Sequence, residues 1–549
     1  MNTSPLTMDQ ALKTAACMLL LIFSFIAFYQ PIDIEDIGWH IKVGEWILEQ
    51  KQFPEVDPFY FQPEAQVEWI STQWLGSISF SWIYHTAGAL GLKLFRVAIL
   101  WIALGIAFVY GRRRLPWPLL FTVLFALGLG MASRCQLRPF LYNYIFLQIF
   151  FLMLFSYWNN GDRRSLFLLP ILGVIWYNTH LGAFVYGSIV LFIFTFAAAV
   201  QFFNAKLEKA KTAQLTVWGN RCRDLLLTSL AFMGSFILNP YGLKGMLYPY
   251  QVFLFKKFFD IYQVRNIIVE LQPPVYLAGI SWDMRWLFWS LWFYILALVA
   301  IWLLCKNKSS QLLLFLLLAV PLALYFYGVR AQDFLLISVC YLIFECSKNL
   351  SLKENWPHRL NGIFYSCVLI CATAMSLYLF NQKVVVNKRV GLLSNSSFMP
   401  KKPEKALQYL KSREFEGPVL TNDSWGGTVL LWGYPQIKPI LDGRWTNYEL
   451  FYLYLKTTAS PEKYFSQLQQ ECNFSVVILD ASQPSSYKLL AYLKDHPDWH
   501  LAYLQDETVI FANTVQTRLV EDATILKAQL NATTLSQDET ESIDWFTID

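Results

Sequence analysis

Asp36 and His40 lie four residues apart in the stretch between Pro31 and Gly88, which also carries Asp33, Glu35, Asp57, Glu68, Trp69, Gln73 and Trp74. On a helix, that spacing puts a carboxylate and an imidazole on one face, near Gly44. A carboxylate beside an imidazole can act as a general base, and two carboxylates can hold a divalent cation, although nothing in the stretch requires one. Asp57 precedes Pro58, which keeps it in extended or turn backbone, free to swing toward the same place. The alternative is structural: Asp36 flanks an interfacial helix whose Trp39 and Trp46 sit at headgroup level. Either way the charges need a reason, because burying them beside lipid is costly.

The elements around this stretch are apolar. Of 549 residues, 55% are hydrophobic and only 15% charged, against roughly 25% charged in soluble domains. Apolar runs fall at 15–28, 89–110, 115–133, 140–158, 165–180, 181–203, 224–239, 286–305, 311–328, 331–346 and 361–380. A crossing needs about 20 residues at 1.5 Å each for a ~30 Å core, so these predict about eleven transmembrane helices, several of them short. The first run ends at Tyr29-Gln30-Pro31 without a small-residue cleavage site and reads as a retained helix. The expected fold class is an α-helical polytopic membrane protein with a C-terminal soluble α/β domain.

Every second loop is basic: Arg112 to Arg114, Arg163-Arg164, Lys206 to Arg223, Lys306 with Lys308, and Lys348 to Arg359. The positive-inside rule puts these in the cytoplasm, with the N-terminus inside. Loops 31–88 and 240–285, and everything after 381, then lie outside the cytoplasmic membrane. The net charge of +5 is modest and its bases are clustered at these loops, which gives no case for nucleic acid. The nine cysteines form no CxxC pair and no spaced Cys/His set, so neither a disulfide framework nor a zinc site is expected.

The division that follows is a membrane domain over 1–380, a linker over 381–399, an α/β domain over 400–513 and an acidic tail over 514–549. In the third part, helical patterns (Pro403–Lys411, Pro461–Gln470, Ser485–Lys494) alternate with β-rich runs at Pro418–Thr421, Lys438–Leu441, Ser475–Leu479 and Thr508–Ala512. It lacks GxGxxG and GxxxxGK[ST], so no nucleotide is assigned. Asn422-Asp423 before Trp425-Gly426-Gly427 reads as a strand end turning into a helix, an N-cap or an anion or hydroxyl site. Asp442-Gly443-Arg444-Trp445 follows the next strand, so both motifs are expected at one rim of the sheet. The loop at 240–285 is broken by Pro240, Pro249 and Pro273-Pro274, while Phe253 to Phe259 can lie in the interface as a rim for lipid entry or pack between helix ends.

The string D-x-x-W-H-x-x-x-G-x-W-I (Asp36, Trp39, His40, Gly44, Trp46, Ile47) is followed by P-x-x-D-P-F (Pro54 to Phe59) and Q-W-L (Gln73 to Leu75). Then come R-P-x-L at Arg138, N-x-H-x-G-x-F at Asn178, L-N-P-Y-G at Leu238, E-x-Q-P-P at Glu270, N-D-x-W-G-G at Asn422 and D-G-R at Asp442. This ordered set, over roughly residues 30–450, resembles bacterial GT-C-type integral membrane glycosyltransferases. The resemblance implies transfer of a sugar from a polyprenyl-phosphate donor, on the outer face, to a glycan, lipid or protein acceptor. It also implies a carboxylate in the first outer loop as base or acceptor-positioning group, which Asp36 matches. The chain departs from the commoner DPDLWW-like string in reading Glu35-Asp36-Ile37-Gly38. One aromatic is missing, and Glu35 becomes a rival.

A phosphate leaving group calls for cations near the outer surface. Arg134, Arg138 and Arg330 stand at outer ends of expected helices, as phosphate-binding forks or as interfacial anchors. His180 is a further candidate, a satisfied core histidine being the alternative. Trp69 and Trp74 can stack on sugar rings or belong to the aromatic belt, and Asp442 and Arg444 can recognise acceptor or serve the fold. Two other functions stay open, a transporter or flippase of a lipid-linked sugar and an envelope assembly scaffold. The first requires charge at mid-membrane depth, for which Asp333 is the candidate.

Overall fold

The computed structural model describes residues 8–32, 34–253, 272–274, 308–349, 361–380, 403–444, 446–505, 507–515 and 519. The chain divides into two compact units, one from Met1–Gln30 with Leu92–Lys388, the other from Pro31–Gly91 with Arg389–Asp549. The stretch between Pro31 and Gly91 thus folds with the C-terminal residues.

The first unit is helical. It holds α1 (Met8–Phe28), the later part of α3 (Trp74–Gly111), α4 (Trp117–Ala132), α5 (Asn143–Asn160), α6 (Arg163–Thr179), α7 (Ser188–Leu207), α8 (Thr212–Ser235), α9 (Gly242–Phe253), α10 (Lys308–Tyr327), α11 (Gln332–Asn349) and α12 (Asn361–Phe380). α3 leaves helical geometry at Gly88, whose φ of 60° suits a residue without Cβ. Among the described residues, four helical segments are long and apolar enough to cross a bilayer: Asp9–Phe28, Trp74–Gly111, Pro139–Asn160 and Ala183–Leu207. Trp117–Ala132, Gln311–Tyr327 and Tyr365–Tyr378 are apolar but shorter. Ten of the eleven expected runs coincide with helices; the run at 286–305 and the interfacial segment Phe253 to Phe259 lie outside the described residues, apart from Phe253 at the end of α9. α6 falls short as a span with 17 residues that begin at Arg163-Arg164, and α8 holds Arg221, Arg223 and Asp224 within it.

Polar residues gather at the two ends of this unit. At one end Glu345 accepts from Arg114 Nε (3.2 Å), Tyr110 Oη (2.5 Å) and Asn159 Nδ2 (3.0 Å), while Asp224 pairs with Arg163 (2.7 Å). Buried Asp333 and Asn143 mark the opposite ends of α11 and α5. Sixteen residues separate Asn143 from Asn159, which at 1.5 Å per residue is about 24 Å.

The second unit combines α2 (Ile34–Gln50) and the start of α3 with a mixed α/β fold. Its sheet has strand order β2-β1-β3-β5-β4, from β1 (Gly417–Thr421), β2 (Ile437–Pro439), β3 (Val476–Asp480), β4 (Trp499–Gln505) and β5 (Thr508–Asn513). β1 runs parallel to β2 and β3, and β5 antiparallel to β3 and β4. β3 is buried along its whole length, which its unbroken Val-Val-Ile-Leu run anticipates for a central strand. β4 is an edge strand that the sequence patterns did not reveal, because its residues alternate poorly and a register shift falls between Leu501 and Tyr503. Around the sheet lie α13 (Glu404–Ser412), α14 (Gly426–Gly433), α15 (Tyr448–Ala459), α16 (Pro461–Cys472) and α17 (Tyr487–Asp495). Trp39, Val43 and Ile47, one face of α2, are buried with Phe59 and with Leu430 of α14.

Candidate active site

Asp36 stands in the first turn of α2, where unpaired N–H groups and the helix dipole favour a carboxylate. The Trp39 indole donates to Asp36 Oδ1 at 3.3 Å. Gly443 packs against both, and any Cβ there would run into that same oxygen. Gly38 is equally constrained, since a Cβ there would collide with the carbonyl of Gly427 at the start of α14. Two glycines, one in each part of the unit, therefore let α2 and the 422–444 turns close on Asp36. The carboxylate itself remains half-buried.

His40 is not an open partner of Asp36. It is 2% exposed, its Nδ1 lies 2.8 Å from Ser77 Oγ, and its ring stacks on Trp39 with centroids 3.6 Å apart. The imidazole joins α2 to α3 and backs the tryptophan that holds Asp36. Glu35 belongs to α2, but its side chain, like Asp33 and Trp445, lies outside the described residues.

Asp57 is also occupied. Its Oδ1 accepts from the Phe59 amide (2.9 Å) and from Arg444 Nη1 (2.5 Å), and its Oδ2 from Thr446 Oγ1 (3.2 Å). Arg444 grips Asp442 with two further bonds, Nε to Oδ1 at 2.9 Å and Nη2 to Oδ2 at 2.6 Å. The guanidinium lies 5.3 Å from the Phe59 centroid and 5.0 Å from that of Trp69. Burial works against its charge, but Asp442 and Asp57 more than reverse this and hold the Arg444 pKa above its ordinary value. With side-chain exposure of 2% and 1% for Arg444 and Asp57, the expectations of Arg444 and Asp442 as ligand contacts and of Asp57 as a mobile base give way to a buried clamp. Trp74 is likewise engaged, half-buried against the α2 cluster and edge-on to Phe53 at 5.1 Å.

The N-D-x-W-G-G motif also does other work than helix capping. Asn422 accepts from the Asp480 amide and donates to Ser486 Oγ, both at 2.9 Å, joining β1 to β3 and to the α17 entrance. Burial, and then the charge of Asp36, raise the Asp423 carboxyl above the usual carboxylate range.

In the helical unit, four other candidates, Asp333, His180, Arg330 and Arg134, share one polar cluster. Asp333, 1% exposed, accepts from Asn143 Nδ2 (3.0 Å) and Tyr186 Oη (3.1 Å). Asn143 Oδ1 takes the Trp176 indole (2.8 Å) and lies 3.0 Å from His180 Nδ1. Tyr186 Oη also donates to the Arg330 carbonyl (3.2 Å), and Arg134 caps the carbonyls of Val329 and Arg330. Arg134 is thus buried at this helix end as a cap on carbonyls, the Arg330 side chain is exposed, and Arg138 is half-buried before the turn Pro139–Tyr142. Asp333 stands in the first turn of α11 rather than in mid-helix, and its carboxylate also accepts from the Phe334 amide. Asn143, Trp176 and Tyr186 complete the cluster, and their one signal in the sequence is a polar group within an apolar run.

Neither protein-family models nor curated proteins match the chain. Solved structures do. Archaeal oligosaccharyltransferase AglB from Archaeoglobus fulgidus, in complex with an inhibitory peptide and a dolichol-phosphate, is similar with a TM-score of 0.53 at 14% identity, over 91% of this chain and 74% of that one. At that identity the likeness is one of fold. The apo form of the Archaeoglobus fulgidus oligosaccharyltransferase gives 0.51 at 13% identity, over 87% and 71% of the two chains.

Proposed function

We propose that this protein is a membrane glycosyltransferase that moves a sugar from a polyprenyl-phosphate-linked donor to an envelope acceptor, a glycolipid, polysaccharide or protein. The reaction takes place on the outer face of the cytoplasmic membrane. Asp36 carries the chemistry. It accepts the proton of the acceptor's nucleophile as that atom bonds to the anomeric carbon and the bond from carbon to phosphate oxygen breaks, leaving polyprenyl phosphate. Arg138 and Arg330 are assigned to the leaving phosphate, and His180 is linked to the Arg330 backbone through Asn143, Asp333 and Tyr186. The observation that supports this best is the placement of a half-buried carboxylate at the first turn of α2, against the Trp39 indole and Gly443, in a chain with this fold. That AglB was solved with a dolichol-phosphate favours a lipid-linked donor.

Basic loops at the Glu345 end of the bundle support an inside N-terminus, and with eleven crossings the C-terminal domain is extracytoplasmic. The transporter alternative loses its candidate charge, because Asp333 lies at a helix end with its partners supplied. The test compares envelope glycans and glycolipids by mass spectrometry in a deletion strain complemented with wild type or Asp36→Asn. A product restored by wild type alone is expected; restoration by both would sink the assignment and favour a scaffold.

A further inference from the structure

Two cations are buried one turn apart on α3. Lys93 and Arg96 are each 2% exposed. Arg96 has an evident structural use: its Nε donates to the Phe28 carbonyl at 2.8 Å and its Nη2 to the Gln30 carbonyl. It therefore closes the C-terminal end of α1, where free carbonyls concentrate negative charge. Lys93 has no comparable partner among the described residues. Its ammonium lies over the Tyr29 ring, 5.2 Å from the centroid. A ring face steadies a cation without neutralising it. Among the described residues the other ionisable group named beside Arg96, Cys135, donates to the Ala132 carbonyl at 3.3 Å and supplies no carboxylate.

Burying two like charges is costly unless an anion joins them and takes their hydrogen bonds. Nothing in the fold of α3 needs Lys93 to be charged. The helix flank beside it is apolar and exposed at Leu90 (36%) and Leu94 (48%), as is α1 at Met18, Leu21 and Ile22. An anion that joins the pair can thus carry a hydrocarbon chain on to this flank.

We propose that Lys93, with Arg96 beside it, binds the phosphate of a lipid. A prenyl-chain phosphate and an anionic phospholipid headgroup share this chemistry. Taking the prenyl phosphate as the glycosyl donor rests on the function proposed above; the phosphate site itself does not.

The test uses the full chain purified in mixed micelles, with a short-chain prenyl monophosphate, the matching prenol and phosphatidylglycerol as probes, and follows binding by titration and by Tm. The monophosphate should bind and stabilise wild type, and the prenol should not. Lys93→Met should bind it ten- to hundred-fold more weakly, as expected for loss of a charge-assisted contact, while Lys93→Arg should retain it. Without probe, Lys93→Met should melt higher than wild type, since a buried charge has been removed. If Lys93→Met does not insert, Lys93→Gln provides the same comparison. Unchanged binding in the neutral variant, or equal binding of the prenol, would overturn the site. Stronger binding of the prenyl phosphate than of phosphatidylglycerol supports a donor site, and equal binding supports a phospholipid headgroup site. Asp36→Asn should bind the monophosphate as wild type does. Binding that depends on Lys93 in a protein that transfers no sugar would refute the proposed function and leave the site standing.

Discussion

Asp57 and Arg444 lie 387 positions apart in the chain and meet in a buried ion pair of 2.5 Å, with Asp442 gripping the same guanidinium from its other edge. A cation between two carboxylates, all shielded from water, ties the stretch after α2 to the turn that carries Gly443.

Arg444→Met should therefore destabilise this unit strongly. Removing one partner leaves buried carboxylates uncompensated, a loss of about 3–5 kcal/mol. Thermal unfolding followed by protease sensitivity of the C-terminal residues measures it. Asp57→Asn combined with Arg444→Met should cost less than the sum of the two single changes; strict additivity would mean that the pair is not coupled.

Gly443→Ala probes the site more finely. Its methyl group must displace Asp36 Oδ1 or the turn. Misplacement by about an ångström can cost as much as ~10²-fold in rate. Transfer should fall with donor binding and Tm little changed, and normal turnover would show that the position of Asp36 is not limiting.

Asp36→Asn should reduce transfer about 10²–10⁴-fold, the usual contribution of a general base, at near-normal folded yield. Glu35→Gln is the control, as adjacent helix positions point about 100° apart. A dead Glu35→Gln beside an active Asp36→Asn would transfer the role to Glu35.

For Arg138→Ala and Arg330→Ala, the expected outcome is weaker use of the lipid donor, by roughly 1.5–3 kcal/mol or ten- to hundred-fold. Arg330→Ala should spare the fold, because Arg134 and Tyr186 hold the residue by its carbonyl. Donor kinetics left normal in both would reduce these arginines to interfacial anchors.

Asp423 predicts a pH effect. Its folded pKa is raised, by burial first and Asp36 second. The fold thus favours the protonated form, and this contribution is complete below the ordinary carboxylate range and lost as pH rises through the folded value. Asp423→Asn, fixed in the neutral form, should melt higher than wild type at neutral pH and match it in acid. A Tm difference independent of pH would rule this out.

Helix positions were legible because an apolar run of a given length has few other uses, and Asp36 because a carboxylate beside such a run is unusual. What each motif does was less legible. His40 and Asp57 look reactive by type, but their partners, Ser77 and Arg444, are chosen by the tertiary fold. Gly38 and Gly443 gave no sign that each marks a close approach of two segments. Lys93 and Arg96 fall inside the apolar run at 89–110, and their spacing of three there is the signal.

The packing of α2 against α14 also fixes an order of events. Trp39, Val43 and Ile47 leave the ribosome long before Leu430, with most of the membrane helices synthesised in between. Contacts so distant in sequence form late, and until then an apolar face stays open to mispairing. Nascent chains should thus pass through a period of dependence on chaperones in the compartment that receives α2, and premature stop codons before Leu430 should give products recognised by quality-control proteases rather than partly active enzymes.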